Sequence, residues 1–567
     1  MPTRELPRHP SVEQYRKQAK ELVRFRRTAE TDPRESLRLT RLFKLIEQYH
    51  PQFRLKTEAE IRAGRFGLSD AQLVIAREHG FASWTKFAGA IEVRRASAAG
   101  QDDTAQDDTA QDDAETAFLR AASVPREAWH VSGMLDAAEA VRAAHPGVEQ
   151  SSIYTAAVFG DAAGVRRFLA ADGELATARG GVHVWDALTY LCFSRYLRVL
   201  RDDAARSRGF VDAARALLDA GASADTGWFE ANDEAVPFWE PVIYGAAGIA
   251  QHADLTQLLL ERGADPNDEE TPYHAAETRD LRTLRVMLES GKLSEESVTT
   301  LLLRKADWHD LEGMRLLLAH GGDAHRQTRW KHSGLMQAVR RDNGLELVEA
   351  LLGDLRAGPE GLAADVAASI AGAACIAAWR GRGDVLRVFE QRGIMPELHG
   401  IDELLAVCAQ GDGAAARAMV ERDAVLAEGL KRHEGAWLSF FAGNGNVEGV
   451  AALLDLGVNV GALNLEGDAY YEIARGSTAL HCAAWRMRHG TVQLLLERGS
   501  PVNALDGRGR TPLALAVKAC VDSHWAQGRS LASIEMLLRA GATVEGIALP
   551  TGYAEADACL REYGATG

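Results

Sequence analysis

The stretch "TALHCAAWRMRHGTVQLLLERG" (residues 478–499) decides how the whole chain is read. His481 stands beside Cys482, with Trp485 three positions on. Such a pair serves as a nucleophile with its base, as half of a metal site, or as scaffolding. The second half of the stretch narrows the choice. "QLLLERG" at 493–499 also occurs, letter for letter, at 257–263. A broader pattern of apolar residues at i, i+3 and i+4 followed by glycine fits Ala214/Leu217/Leu218/Gly221, Leu284/Met287/Leu288/Gly291 and Met314/Leu317/Leu318/Gly321. It returns at Val450/Leu453/Leu454/Gly457, Val492/Leu495/Leu496/Gly499 and Ile534/Leu537/Leu538/Gly541, and an early copy, Val165/Phe168/Leu169, has Asp172 in the glycine place. This spacing puts three apolar side chains on one helical face, and a glycine just beyond takes the left-handed conformation that ends a helix. Each unit is a short helix with one apolar side and a built-in stop.

The starts of two units, "TALHCAA" at Thr478 and "TPLALAV" at Thr511, lie 33 positions apart. Further pieces are "TPYHAA" (271–276), which carries Thr271 and His274, "GADPN" (263–267) and "GASAD" (221–225). With that period and these words the chain resembles an ankyrin-repeat protein. The resemblance implies an all-α chain, an α-solenoid of helix-turn-helix units, with about eleven units between Ser151 and Gly546 and insertions near 195–210, 226–240 and 519–530. The whole chain also resembles a group of bacterial ankyrin proteins with a basic helical leader, here containing "LSDAQLVIAREHGFASWTKF" (68–87). The expected organisation is a basic helical domain at 1–95, an acidic flexible linker at 96–117, a helical entry segment at 118–150 and a repeat array at 151–567.

Charge patterning supports that division. The chain of 567 residues has a net charge of −16, yet residues 1–95 hold 20 Lys and Arg against 12 Asp and Glu. "QDDTAQDDTAQDDAET" (101–116) repeats an acidic pentapeptide with no apolar face to bury, so it reads as a self-repelling linker. An acidic chain argues against duplex DNA or an anionic membrane as the main partner. The longest apolar run, "VAASIAGAACIAAW" (366–379), is too short to span a bilayer, and "MPTRELPRHP" (1–10) lacks the apolar core of a secretory signal. Six dispersed cysteines without a C-x-x-C pair read as reduced thiols. The expectation is a cytoplasmic protein, with no membrane and no cofactor.

Within the ankyrin resemblance the opening question has a structural answer. Thr478 starts the first helix, its hydroxyl meets the His481 ring, and the other ring nitrogen satisfies backbone in a neighbouring repeat. Cys482 is then an apolar plug. Other candidate chemistry is thinner. "DWHD" brings Asp307, His309 and Asp310 together, and "HGGDAH" offers His320, Asp323 and His325, but neither has the spacing of a zinc site. "GNGNVEG" (443–449) and "GRGDV" (381–385) miss the dinucleotide pattern and read as turns between helices. The chain is therefore expected not to be an enzyme. A metal or enzyme site built from Asp307, His309 and Asp310 is one alternative, and a nucleic-acid contact through residues 60–93 is another. In that segment Gly80 reads as a helix cap and Ser83 as the next N-cap, with Phe81, Trp84 and Phe87 in a small core.

Binding by such an array falls on its concave side, as the resemblance implies. Trp379 with Arg380 and Trp485 with Arg486, just after the alanine pair of a first helix, fall where ankyrin proteins present contact residues. Trp308 and Trp330 extend the set. Tryptophan and arginine are also enriched in interface hot spots. The insertion "TGWFEANDEAVPFWEP" (226–241) holds Trp228, Phe229, Phe238 and Trp239 with four acids, and reads either as a gripping finger or as a lid on its own array. A basic or amphipathic protein partner matches the acidic surface.

Overall fold

The computed structural model describes residues 11–29, 36–53, 56–79, 81–98, 113–124, 134–230, 237–328, 330–356, 361–521 and 529–566. The greater part of the acidic linker, Gly80, the tip of the 226–241 insertion and the middle of the 519–530 insertion lie outside these residues. The chain is mostly helical and divides into two compact units, Met1–Arg304 and Lys305–Gly567.

The first unit opens with five helices: α1 (Val12–Ala29), α2 (Ser36–Tyr49), α3 (Glu58–Ala63), α4 (Leu68–Glu78) and α5 (Trp84–Ala98). They share a core in which Tyr15, Leu22, Leu42, Phe43, Ile75 and Phe87 are buried. Phe87 is the hub, with ring centroids 4.9 Å from Tyr15, 5.1 Å from His79, 5.4 Å from Phe81 and 5.5 Å from Trp84. Ser83 accepts the backbone N–H of Lys86 at 3.4 Å, as an N-cap does. Phe81 and Trp84 are only partly buried against this core.

Beyond these five helices and the helices Ala114–Ala122 and Asp136–Ala144, helices follow in pairs. In the first unit these are Ile153–Phe159 with Ala162–Ala171, Ala187–Cys192 with Ala204–Asp219, a π-helical turn at Tyr244–Ile249 with Ala253–Glu261, and Thr271–Ala275 with Arg282–Glu289. Second helices pack on second helices, as Ala253–Glu261 does on Arg282–Glu289. Two short antiparallel hairpins interrupt the helices. Arg179–Gly180 pairs with Trp185–Asp186, and Gly227–Glu230 pairs with Phe238–Pro241 in the register Phe229 opposite Trp239.

The second unit begins within helix Glu295–Asp307, which is followed by Leu311–Ala319. Then come Gly334–Arg340 with Leu345–Leu352, Ala364–Arg380 with Gly383–Gln391, and Ile401–Ala409 with Gly413–Arg422. After an extra helix, Ala424–Arg432, the pairs are Glu434–Asn444 with Val447–Asp455, Ala479–Trp485 with His489–Glu497, and Pro512–Val521 with Ala532–Arg539. Helix Ala479–Trp485 packs between Glu434–Asn444 and Pro512–Val521, so each hairpin covers the apolar side of the next. Val492 and Leu495, fully buried from this face, each gain about 1.5–3 kcal/mol by leaving water.

The turn chemistry follows from the sequence. Gly499 has φ 81°, and the N–H groups of Gly499 and Ser500 close on the carbonyls of Leu496 and Leu495 at 3.1 and 2.9 Å. No atom lies within 4 Å of where its Cβ would stand, so backbone conformation, and not crowding, calls for glycine there. Asp172, in the equivalent place of the early copy, is extended at φ −152°, and its carboxylate instead accepts the N–H of Glu174 at 2.9 Å. A second left-handed position joins the two helices of a pair. Gly381 and Gly445 hold it with glycine, whereas His309, Asp342 and Met487 hold it at φ 50°, 53° and 54°.

Candidate interaction surface

The dyad of the opening stretch is built into a helix start. The hydroxyl of Thr478 lies 2.8 Å from His481 Nδ1, and the Thr478 N–H donates to the same nitrogen at 3.1 Å. Nδ1 is thus an acceptor, and Nε2–H donates to the Arg510 carbonyl at 3.0 Å. Burial holds His481 below its ordinary pKa, in keeping with a neutral ring that uses both nitrogens. Cys482 is buried, which pushes its thiol up to about 12 and removes the thiolate a nucleophile needs. Thr511 starts the next first helix by accepting the Ala514 N–H at 3.1 Å. At Thr271 the helix start is held by Asp268, which accepts the Thr271 N–H at 2.6 Å. The His274 ring faces Glu270 at 3.2 Å and Glu277 at 3.0 Å. Burial opposes its protonation, but the two carboxylates outweigh that and raise its pKa.

The expected contact residues separate into two groups. Trp308, Trp330 and Trp379 are 42%, 47% and 45% exposed. Trp379 ends its helix with the indole N–H donated to Asp402 at 2.7 Å. Trp485 is 1% exposed, and its N–H donates to the Tyr471 carbonyl at 2.6 Å. The expectation that Trp485, Arg380 and Arg486 face a partner is therefore corrected: the indole is core, and both guanidiniums are buried against Asp342.

Asp342 gathers that cluster. Its Oδ1 accepts Arg380 Nε at 2.7 Å and Asn444 Nδ2 at 2.9 Å; its Oδ2 accepts Arg380 Nη2 at 2.6 Å and Arg486 Nη1 at 2.8 Å. Burial of the carboxylate favours its neutral form, but Arg380 and Arg486 overcome it and hold the pKa far below the usual range. A loop covers the cluster. Leu463–Asn464 pairs with Ser477–Thr478, and between them Tyr470 and Tyr471 reach back to the ends of earlier first helices. The Tyr471 hydroxyl donates to the Arg341 carbonyl at 2.7 Å and that of Tyr470 to the Asp307 carbonyl. The Arg341 and Arg486 guanidiniums lie 4.0 Å over the rings of Tyr470 and Tyr471. This strap is what buries Trp485. Its signal in the sequence is length: Gly457 and Thr478 are 21 positions apart, where Gly499 and Thr511 are 12.

The alternative sites are not brought together. Asp307 accepts Gln337 Nε2 and Arg341 Nε, each at 2.6 Å. Asp310 accepts the Gly313 N–H at 2.9 Å and the buried Lys305 ammonium at 2.7 Å. His320 Nδ1 lies 2.9 Å from the Leu316 carbonyl, Asp323 caps the turn at His325, and His325 Nδ1 is 3.3 Å from Ser369 Oγ. Among the described residues no group of three or more His, Cys, Asp or Glu is arranged to hold a metal ion.

In the first unit the 226–241 insertion is occupied from within. Trp228 packs 5.0 Å from Trp185 and 5.8 Å from Phe193. Phe229, Phe238 and Trp239 meet helix α2: Tyr49 lies 6.4 Å from Phe229, the Arg41 guanidinium 4.5 Å over Phe238, and the Lys44 ammonium 5.2 Å from Trp239.

Comparison with known proteins bears on the repeats. The chain is 34% identical over 93 residues to serine/threonine-protein kinase 12 of Arabidopsis thaliana, a match covering 16% of this chain. The chain spans only 18% of that protein's length. The crystal structure of the human ASB11 ankyrin repeat domain matches with 19% identity over 47% of this chain and 99% of that one, at a TM-score of 0.20, too low to carry an argument. Residues 438–545 match the family model for ankyrin repeats (3 copies), so ankyrin repeats are present in this chain.

Proposed function

We propose that the protein is a non-enzymatic interaction scaffold, an α-solenoid of ankyrin repeats that takes hold of a protein partner. The observation that carries this reading is the pair of exposed indoles, Trp308 and Trp379, at the ends of two first helices. Large aromatics left in water at such places are characteristic anchors of a protein interface. The ankyrin repeats at 438–545 support it, since such repeats generally bind proteins and are typically without catalysis. The kinase match spans too little of that protein to bring its activity here. No observation favours the metal or nucleic-acid alternative. No described helix is long and apolar enough to cross a membrane. In this reading residues 1–95 are a leader, 96–117 a linker, 118–150 an entry segment and 151–567 the array, and the protein works in the cytoplasm.

The test is capture. A partner recovered by cross-linking to the wild-type chain in cells of the source organism and identified by mass spectrometry should bind purified wild-type chain. Trp308→Ala/Trp379→Ala should lose that binding with unchanged far-UV circular dichroism; undiminished binding by the double variant would contradict the reading.

A further inference from the structure

Helix α2 of the leader packs on the 227–241 hairpin and the turn at 265–270 of the first unit. Its residues Arg41, Lys44, Leu45 and Tyr49 fall three, one and four positions apart, which places them along one helical face. Lys44 Nζ lies 2.5 Å from Asp225 Oδ2, and Arg41 Nε lies 3.0 Å from Glu269 Oε2, with those two side chains 8% and 10% exposed. The same two cations stand over the faces of Phe238 and Trp239, while Leu45 and Tyr49 pack with Val74 and Phe229. The receptor side is thus two aromatic faces from the hairpin and a row of carboxyls.

That receptor side carries more carboxyls than the helix brings cations to it. The cleft beside the contact is lined by Asp225, Asp265, Asp268, Glu269 and Glu270 against Arg41 and Lys44. Removal from water, with a smaller push from the neighbouring Glu270 carboxylate, raises the Asp268 carboxyl to about 7 despite the donors of Thr271 and Glu270. The Trp239 indole N–H, on a side chain 8% exposed, finds no acceptor among the described residues. Leu39, Leu42, Phe43 and Ile46 of the same helix carry its share of the leader's core, so charge reversal at Arg41 and Lys44 leaves those core side chains in place.

We propose that the hairpin Gly227–Glu230/Phe238–Pro241 and the turn at 265–270 form a docking surface for a cationic amphipathic helix of a protein partner, which α2 occupies in cis. The partner helix presents two basic residues three positions apart beside an apolar stripe, each cation taking an aromatic face and a carboxylate. The leader then acts as a tethered competitor that lowers the apparent affinity for the partner by the fraction of time the surface is covered. This deepens the scaffold reading and rests on it, but it concerns the first unit alone.

The test uses the full-length chain and a fluorescein-labelled peptide of residues 36–49, followed by fluorescence anisotropy at low salt. Arg41→Glu/Lys44→Glu, which turns the leader against its own surface, should bind the peptide about tenfold tighter than the wild type does. Adding Trp239→Ala and Glu269→Gln to that variant should abolish the gain. Equal binding by the wild-type and double-variant chains overturns the proposal. So does a gain that survives the receptor substitutions. Circular dichroism verifies folding, and Lys44→Ala, which removes one partly exposed amine, replaces the double variant if that loses helix. The peptide is defined and binds the first unit, so its failure leaves the Trp308 and Trp379 reading standing, and loss of that reading leaves this one testable.

Discussion

The guanidinium of Arg380 lies against the carboxylate of Asp342 with both of its near nitrogens engaged, Nε 2.7 Å from Oδ1 and Nη2 2.6 Å from Oδ2. Arg486 approaches the same carboxylate from another repeat at 2.8 Å. The site is bought with backbone strain, since Asp342 holds φ 53° where Gly381 and Gly445 hold the equivalent turns. Asp342→Gly relieves that strain yet removes the anion shared by two buried guanidiniums, leaving Arg380 only Asp468 at 3.5 Å; Asp342→Ala removes the anion and keeps the strain. Both variants should lose about 3–5 kcal/mol in urea unfolding. An alanine variant, which keeps the strained backbone, as stable as the wild type would show that the ion cluster contributes nothing.

The same carboxylate has a pH signature. Its folded pKa is depressed, so its contribution is present above the unfolded carboxylate pKa and is lost as pH falls through the folded one. The wild-type advantage over Asp342→Asn should therefore hold from about pH 5 to 8 and shrink below about pH 4. An advantage that grows on acidification would contradict the charge assignment.

Two histidines should respond to pH in opposite senses. His481 is held below the ordinary 6.5 by burial, so its contribution exists above that value and is lost as pH falls. His274 is raised above 6.5 by Glu270 and Glu277, so its contribution is complete below 6.5 and is lost as pH rises through the folded pKa. His481→Ala should cost about 1–3 kcal/mol at pH 8 and less at pH 5, through loss of the bonds to Thr478 and Arg510. His274→Gln should cost more at pH 5 than at pH 8. Local amide exchange at 478–485 and 271–275 reads the two separately.

The cysteines should be slow. Burial pushes Cys408 and Cys482 up to about 12, so native alkylation at pH 8 should run at least about 10²-fold slower than in the urea-unfolded chain, site by site in mass spectra. Alkylation of native Cys482 at the unfolded rate would reopen the question of a reactive dyad.

What was legible in the sequence was local. The i, i+3, i+4 pattern and terminal glycine of 492–499 specify a helix with one buried face and a left-handed stop because those depend on neighbours a turn away. The Thr478 and His481 pairing, and a bond from the other ring nitrogen to backbone of a neighbouring repeat, came from the ankyrin resemblance; the structure names that backbone as the Arg510 carbonyl. Trp485 was misplaced because its surroundings are not local. The same Trp–Arg pair is half in water at Trp379 and enclosed at Trp485, and the difference is a loop that carries Tyr470 and Tyr471 back to Arg341 and Asp307. Nine additional residues between Gly457 and Thr478 marked the loop, but nothing in their identity told where it lands. The 226–241 insertion shows the same limit, because its aromatics meet Arg41 and Lys44, more than 180 positions earlier in the chain.

Comparing Trp379→Ala with Trp485→Ala tests the account most directly, because the two residues occupy equivalent repeat positions and differ in exposure. Binding to the identified partner and the urea midpoint are measured for both. Trp379→Ala is expected to lose partner binding with its midpoint nearly unchanged, and Trp485→Ala to lose about 3–5 kcal/mol of stability. Full binding by the Trp379 variant, or an unchanged midpoint in the Trp485 variant, would contradict the account.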